Sequence, residues 1–89
     1  MYDCFLLGNV NIFEGTEAGG ICSDIGGIIL RTSAECREAA IAFEHKFKRS
    51  ENEENYPKGC YTTQGNVYWN MHEVGNRRDH ISSICKKGM

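Results

Sequence analysis

The residues with chemistry to offer are five cysteines, Cys4, Cys22, Cys36, Cys60 and Cys85, and three histidines, His45, His72 and His80. A cysteine nucleophile needs its thiolate held beside a base, and no histidine forms a local signature with any cysteine. Structural zinc takes ligands at Cys-x2–4-Cys or His-x3–5-His spacing. Here consecutive cysteines stand 14 to 25 residues apart, and His72 and His80 are eight apart. The acidic run Glu51, Glu53, Glu54 and Asn55 lacks the alternating ligands and closing bidentate glutamate of a calcium loop. The glycines of Glu14–Gly20 are not followed by the Gly-Lys-Ser/Thr that opens a phosphate-binding helix. Paired carboxylates for glycoside hydrolysis would need a cleft that so short a chain has little room to build. No catalytic residue, cofactor or metal is therefore expected, and the cysteines read as cross-links.

That reading fits the size. A single domain of 89 residues buries only about 60% of its unfolded surface or slightly more, and small cores of this kind usually need staples. Five cysteines with ten glycines and one proline point to a disulfide-stabilised, secreted or otherwise extracytoplasmic domain. The alternative is a reduced cytosolic domain with buried thiols. Because the count is odd, one thiol is left over or pairs with another chain. Cys4 is the candidate, since the other four sit within the patterned stretch. The net charge of −2 and the lack of a basic run disfavour nucleic acid. No apolar run approaches the ~18 residues of a membrane span. Met1–Gly8 has no basic n-region and too short an apolar core for a signal peptide, so a secreted form would be a mature chain or an excised domain.

The elements that must position these cysteines follow from patterning. Thr32-Ser-Ala-Glu35 is a capping box: the Thr32 hydroxyl can accept the Glu35 amide, and the Glu35 carboxylate can reach back to the Thr32 amide. The helix it opens is expected over about 33–48, with Cys36, Ala39, Ala40, Phe43 and Phe47 on one stripe and a Glu44–Lys48 pair on its surface. Arg49–Asn55 reads as a loop. Cys60–Thr63 and Asn66–Asn70 flank Gln64-Gly65, a two-residue hairpin signal. That register sets Tyr61 opposite Tyr68 and Cys60 opposite Trp69. Cys60, Thr62, Val67 and Trp69 then share one face, and Tyr61, Thr63, Asn66 and Tyr68 the other. Further strands are expected at 4–7, 9–13 and 27–31, with a last one near 81–85.

Four cysteines allow three pairings, and sequence alone does not choose among them. The hairpin register favours Cys36–Cys60, which leaves Cys22–Cys85. For binding, Tyr61 and Tyr68 with Asn66 and Asn70 are the candidates, since exposed aromatics beside amides suit sugar stacking or protein contact. The alternative is an ordinary cross-strand pair covered by the N-terminal strands. The charged stretch Asn76–His80 is a weaker candidate.

Ser33-Ala-Glu-Cys-Arg-Glu-Ala-Ala40, Tyr56-Pro-Lys-Gly-Cys-Tyr61, Val67-Tyr-Trp-Asn70 and Ile84-Cys-Lys86 together resemble a small cysteine-bearing module of secreted and surface proteins in marine invertebrates, algae and other protists. The resemblance spans roughly residues 22–86 and implies an extracellular, non-enzymatic role. A looser similarity, of fold alone, is to PAN/apple domains, although the second helical cysteine common there is missing. The expectation is an α+β fold, one helix on an antiparallel sheet. It would serve as a non-catalytic extracellular module contacting a protein or glycan. The alternative is an accessory subunit of a larger assembly, or a dimer, joined through the N-terminal strand and Cys4.

Overall fold

The structure is a computed structural model and describes residues 12–88. At its centre, β4 (Pro57–Thr63) and β5 (Asn66–Gly75) form an antiparallel hairpin. Its register pairs Thr63 with Asn66, Thr62 with Val67, Tyr61 with Tyr68 and Cys60 with Trp69, as the sequence predicts. Gln64 and Gly65 carry φ of 53° and 79°, the two positive values that a right-twisted hairpin demands of a two-residue turn.

The helix α1 spans Ser33–Ala42 and stops five or six residues before the expected end. Its start follows the capping box, with the Glu35 amide donating to Thr32 Oγ1 at 3.1 Å. The Glu35 carboxylate accepts the amide of Arg31 at 2.8 Å. At the other end Glu44 adopts φ 59°. The His45 amide reaches the Ala40 carbonyl at 2.8 Å, and the Glu44 amide reaches Ile41 at 3.0 Å. These are the two bonds of a Schellman stop, here closed by glutamate in the glycine position.

The chain beyond this stop is a strand, not helix and loop: β3 is Lys46–Glu51. It runs parallel to β5, so the sheet is mixed rather than wholly antiparallel. Lys46-Phe47-Lys48 alternates as a strand should, and its apolar member fits a helical stripe equally well. The i,i+4 spacing of Phe43 and Phe47 masked that second reading. Phe47 does pack against the core, reached from the sheet edge rather than from the helix. The expected Glu44–Lys48 helical pair has no helix to sit on.

β6 (Ser82–Lys86) pairs with β4 through Tyr61–Ser83 and Thr62–Ser82. Farther along, β1 (Phe13–Gly15) takes one edge of β6 and β2 (Ile28–Ile29) takes the other. The order is β1-β6-β4-β5-β3, with β2 added on β6. The strand expected at 27–31 is thus two residues long, and the last strand lies at 82–86 instead of 81–85. The strand at 4–7, nearly all of that at 9–13, and Cys4 lie outside the described residues. Cys36, Ala39, Ala40, Cys60, Val67 and Ile84 form the core between α1 and the sheet, with Phe13 and Leu30 closing it.

Two disulfides join Cys36 to Cys60 and Cys22 to Cys85, with Cα separations of 5.4 and 5.7 Å. Side chains alternate along β6, so Ser83 and Cys85 share the face of Tyr61, while Ser82 and Ile84 share the face of Cys60. One bridge therefore ties α1 to its face of the sheet. The other ties the 3₁₀ turn Cys22–Ile25 to the opposite face. Bridges spanning 24 and 63 residues restrict the unfolded chain by about 3 and 4 kcal/mol in the chain-entropy account.

Candidate functional site

Two surfaces concentrate unusual side chains. The first is the sheet face opposite α1. One residue of β3 is extra: Phe47 pairs with Val67, yet Arg49 pairs with Tyr68, which leaves Lys48 as a bulge. A bulge re-aims the side chains that follow it. Here it turns Arg49 and Glu51 onto the tyrosine face, where alternation without it would have sent them toward α1. The result is a row across the strands. The Arg49 guanidinium lies 5.2 Å from the Tyr68 ring centroid, Tyr68 stacks on Tyr61 at 5.1 Å, Tyr61 on Tyr56 at 5.5 Å, and Arg78 sits 4.8 Å from Tyr56.

Tyr61 lies within this row at 2% exposure, so the expectation of an outward Tyr61 is corrected. Its hydroxyl donates to the Glu51 carboxylate. Burial, then the Glu51 carboxylate, pushes the phenol well above its ordinary range. Asn70, the second candidate taken up by the fold, is 1% exposed. Its Oδ1 accepts the amides of Glu53 at 2.9 Å and His72 at 3.2 Å. Its Nδ2 donates to the carbonyls of Glu53, Tyr56 and Pro57 at 2.8 to 3.1 Å. Asn70 is the clamp that holds the 53–57 connection to β5, and it has no polar atom to spare for a ligand. Asn66 and Tyr68 are half-buried, and Tyr68 lies between Tyr61 on β4 and Arg49 on β3. The hollow here, about 290 Å3, is lined by Arg49, Glu51, Glu53, Tyr56, Tyr61, Thr63 and Tyr68. It meets solvent with ring edges and charges, while stacking on a sugar needs an open ring face.

The second surface was not expected from sequence. Gly59 pairs with Asn70 and Pro57 with Gly75, so β5 spends four residues, 71–74, where β4 spends one. The excursion is held from within. His72 Nδ1 accepts the amides of Val74 at 3.1 Å and Gly75 at 2.9 Å. Gly75 closes it at φ 64°, where a Cβ would stand 2.4 Å from the Lys58 amide nitrogen; only glycine fits. The bulge presents two apolar side chains to solvent, Met71 at 55% and Val74 at 76% exposure. On one side lies a groove of about 570 Å3 running between Ile29–Arg31 and Trp69–Glu73, with Lys58 and Gly59 beneath. On the other lies a hollow of about 470 Å3 whose lining includes Ile21, Pro57, Val74 and Arg77. Arg77 is held by a two-pronged contact with Asp24 at 2.9 and 3.2 Å. Asp24, which also accepts the Ile21 amide, is held below the usual carboxylate range by that bond first and by Arg77 second. The sequence signal for this surface was Asn70-x-His72 followed by Gly75, a polar clamp and a turn residue inside a strand pattern.

No group of three or more potential metal ligands converges among the described residues, and no helix there is long and apolar enough to cross a membrane. Comparison of the chain with family models, curated proteins and solved structures finds no match.

Proposed function

We propose that this chain is a non-catalytic, extracytoplasmic module that binds a protein partner through the 71–75 bulge of β5 and the grooves beside it. The observation that carries the reading is the presentation of Met71 and Val74 on a bulge of β5 locked by His72, Asn70 and Gly75. Exposed apolar side chains normally scatter over a surface. A pair held on a rigid protrusion suits an interface anchor, because little conformational entropy is lost when it is covered. Two disulfides in so small a domain favour an oxidising compartment, and they engage Cys22, Cys36, Cys60 and Cys85 as cross-links. The resemblance of the Tyr56–Tyr61 and Val67–Asn70 motifs to secreted cysteine-bearing modules points the same way. A glycan partner remains a second reading, with Tyr56 and Tyr68 edges and Glu53 around the 290 Å3 hollow as its contacts. The assembly-subunit alternative rests on Cys4 and the N-terminal strand, outside the described residues.

The test is an array of extracellular proteins and glycans probed with oxidised, biotinylated protein. The reading predicts discrete protein binders whose signal falls about tenfold or more in a Met71→Ser/Val74→Ser variant and persists in Tyr68→Ala. Binding lost in Tyr68→Ala but kept in the bulge variant would move the site to the tyrosine face.

A further inference from the structure

Resting on the protein-binding reading above, we propose that the track over Ile29 and Lys58 takes an extended acidic segment of the partner. Its carboxylates would face Arg31 and Lys58, and an apolar residue would seat beside Val74.

Three observations converge. First, the groove and the hollow on either side of the bulge share Ile29 and Lys58 in their linings. They therefore adjoin, forming one track along β2 and the start of β4. Each is of the size that binds ligands, about 300–1,000 Å3, and both are open, which suits a chain lying across them.

Second, the charge along the track is uneven. The ion pairs among the described residues are Arg49–Glu51, Arg77–Asp24 and Lys86–Glu35, so neither Arg31 nor Lys58 is engaged in one there. Glu35, the carboxylate nearest to Arg31 in sequence, is committed elsewhere. It accepts the Arg31 backbone amide and pairs with the Lys86 ammonium at 2.5 Å. Those partners, Lys86 foremost, hold it below the usual carboxylate range. Glu73 is the one acid on the groove lining, against Arg31 and Lys58. In a chain of net charge −2 this is a local reversal of sign. Since His72 Nδ1 accepts two amides, the neutral ring carries its proton on Nε2, a further donor on the same wall.

Third, the far end is apolar and its cation is spent. Arg77 is neutralised by Asp24, and Ile21, Pro57 and Val74 line the hollow around it. The track is thus graded from cationic at Arg31, through the shared Lys58, to apolar at Val74. An acidic segment bearing one apolar residue is its complement. Exposed pairs of this kind add little each and steer register and specificity, so the apolar contact supplies most of the hold.

Trp69, the only tryptophan, lines the groove and reports on its occupancy. Oxidised protein is titrated with a synthetic decapeptide of alternating Asp/Glu and Leu, and with the same peptide carrying Asn/Gln. A saturable change in Trp69 emission is expected with the acidic peptide, about tenfold tighter than with the amide peptide. That advantage disappears in Arg31→Gln/Lys58→Gln, two exposed substitutions that leave both disulfides in place, and it shrinks with added salt. A Lys58→Glu variant turns the preference toward a lysine-bearing peptide. Equal affinity for acidic and amide peptides overturns the acidic specificity and leaves the binding surface standing; no change with either peptide overturns both. Self-association of the protein alone, lost in the double variant, would make a second copy the occupant and overturn the proposal.

Discussion

His72 Nδ1 accepts the backbone amide of Gly75 at 2.9 Å, so a side chain within β5 shapes the bulge at its end. The same nitrogen takes the Val74 amide. His72→Ala would leave both amides to water and cost about 1–3 kcal/mol. Amide hydrogen exchange should accelerate at Val74 and Gly75 with little change at Val67, which sits in the core. Unchanged protection at Val74 would show that the bulge holds its shape without the imidazole.

Asn70 should be the costliest polar substitution on the hairpin. Asn70→Ala removes partners from two amides and three carbonyls at once, a loss of about 2–4 kcal/mol. Asn70→Asp should be at least as damaging, because its second oxygen would face the three carbonyls that the Nδ2 now satisfies. Urea unfolding with both disulfides intact measures the two, and a loss below about 0.5 kcal/mol would contradict the clamp.

The Tyr61 phenol is pushed up by burial and by Glu51, which fixes the sign of an alkaline effect. A group whose folded pKa lies above its unfolded value keeps its stabilising contribution below the unfolded pKa, about 10 for tyrosine. It loses that contribution as pH rises beyond it. Stability should therefore fall above pH ~10 in the native chain and fall less in Tyr61→Phe. At neutral pH the same variant should be weaker by about 1–3 kcal/mol, since Glu51 loses its hydroxyl donor. An identical alkaline limb in both proteins would contradict the assignment.

Glu44 offers a gain. It holds φ 59° in the Schellman position that glycine occupies without strain. Glu44→Gly should stabilise by about 1 kcal/mol, a rise of about 4–8 °C in Tm for a domain of this size. A lower Tm would mean that the Glu44 side chain contributes more than its backbone costs.

The hairpin, its two faces, the start of α1 and the Cys36–Cys60 bridge were legible because each rests on local spacing, while Cys22–Cys85, 63 residues apart, was favoured only as the pair left over. Gln64-Gly65 sets the register, and the register sets which cysteine meets the helix. What escaped depends on competition between periods or on contacts distant in sequence. Phe47 satisfies a helical stripe and a strand alternation equally, and the choice lies with the αL stop at Glu44, a residue type that gives no warning. The tyrosine face was legible as a face, with an open and a covered reading both standing. What covers Tyr61 was not legible, because Arg49 and Glu51 reach it through the parallel strand and its bulge and Tyr56 through the connection before β4. The 71–75 excursion was hidden because Asn70 and His72 act on backbone groups many residues away or across a turn.

The measurement that most directly tests the account is non-reduced peptide mapping of the native protein. Peptides joined through Cys36–Cys60 and Cys22–Cys85 are expected, one staple on each face of the sheet, with Cys4 in neither. Peptides joined in any other pairing, or four alkylatable thiols at those positions, would contradict the fold's two-faced stapling. Four free thiols would remove the ground for an extracytoplasmic module as well.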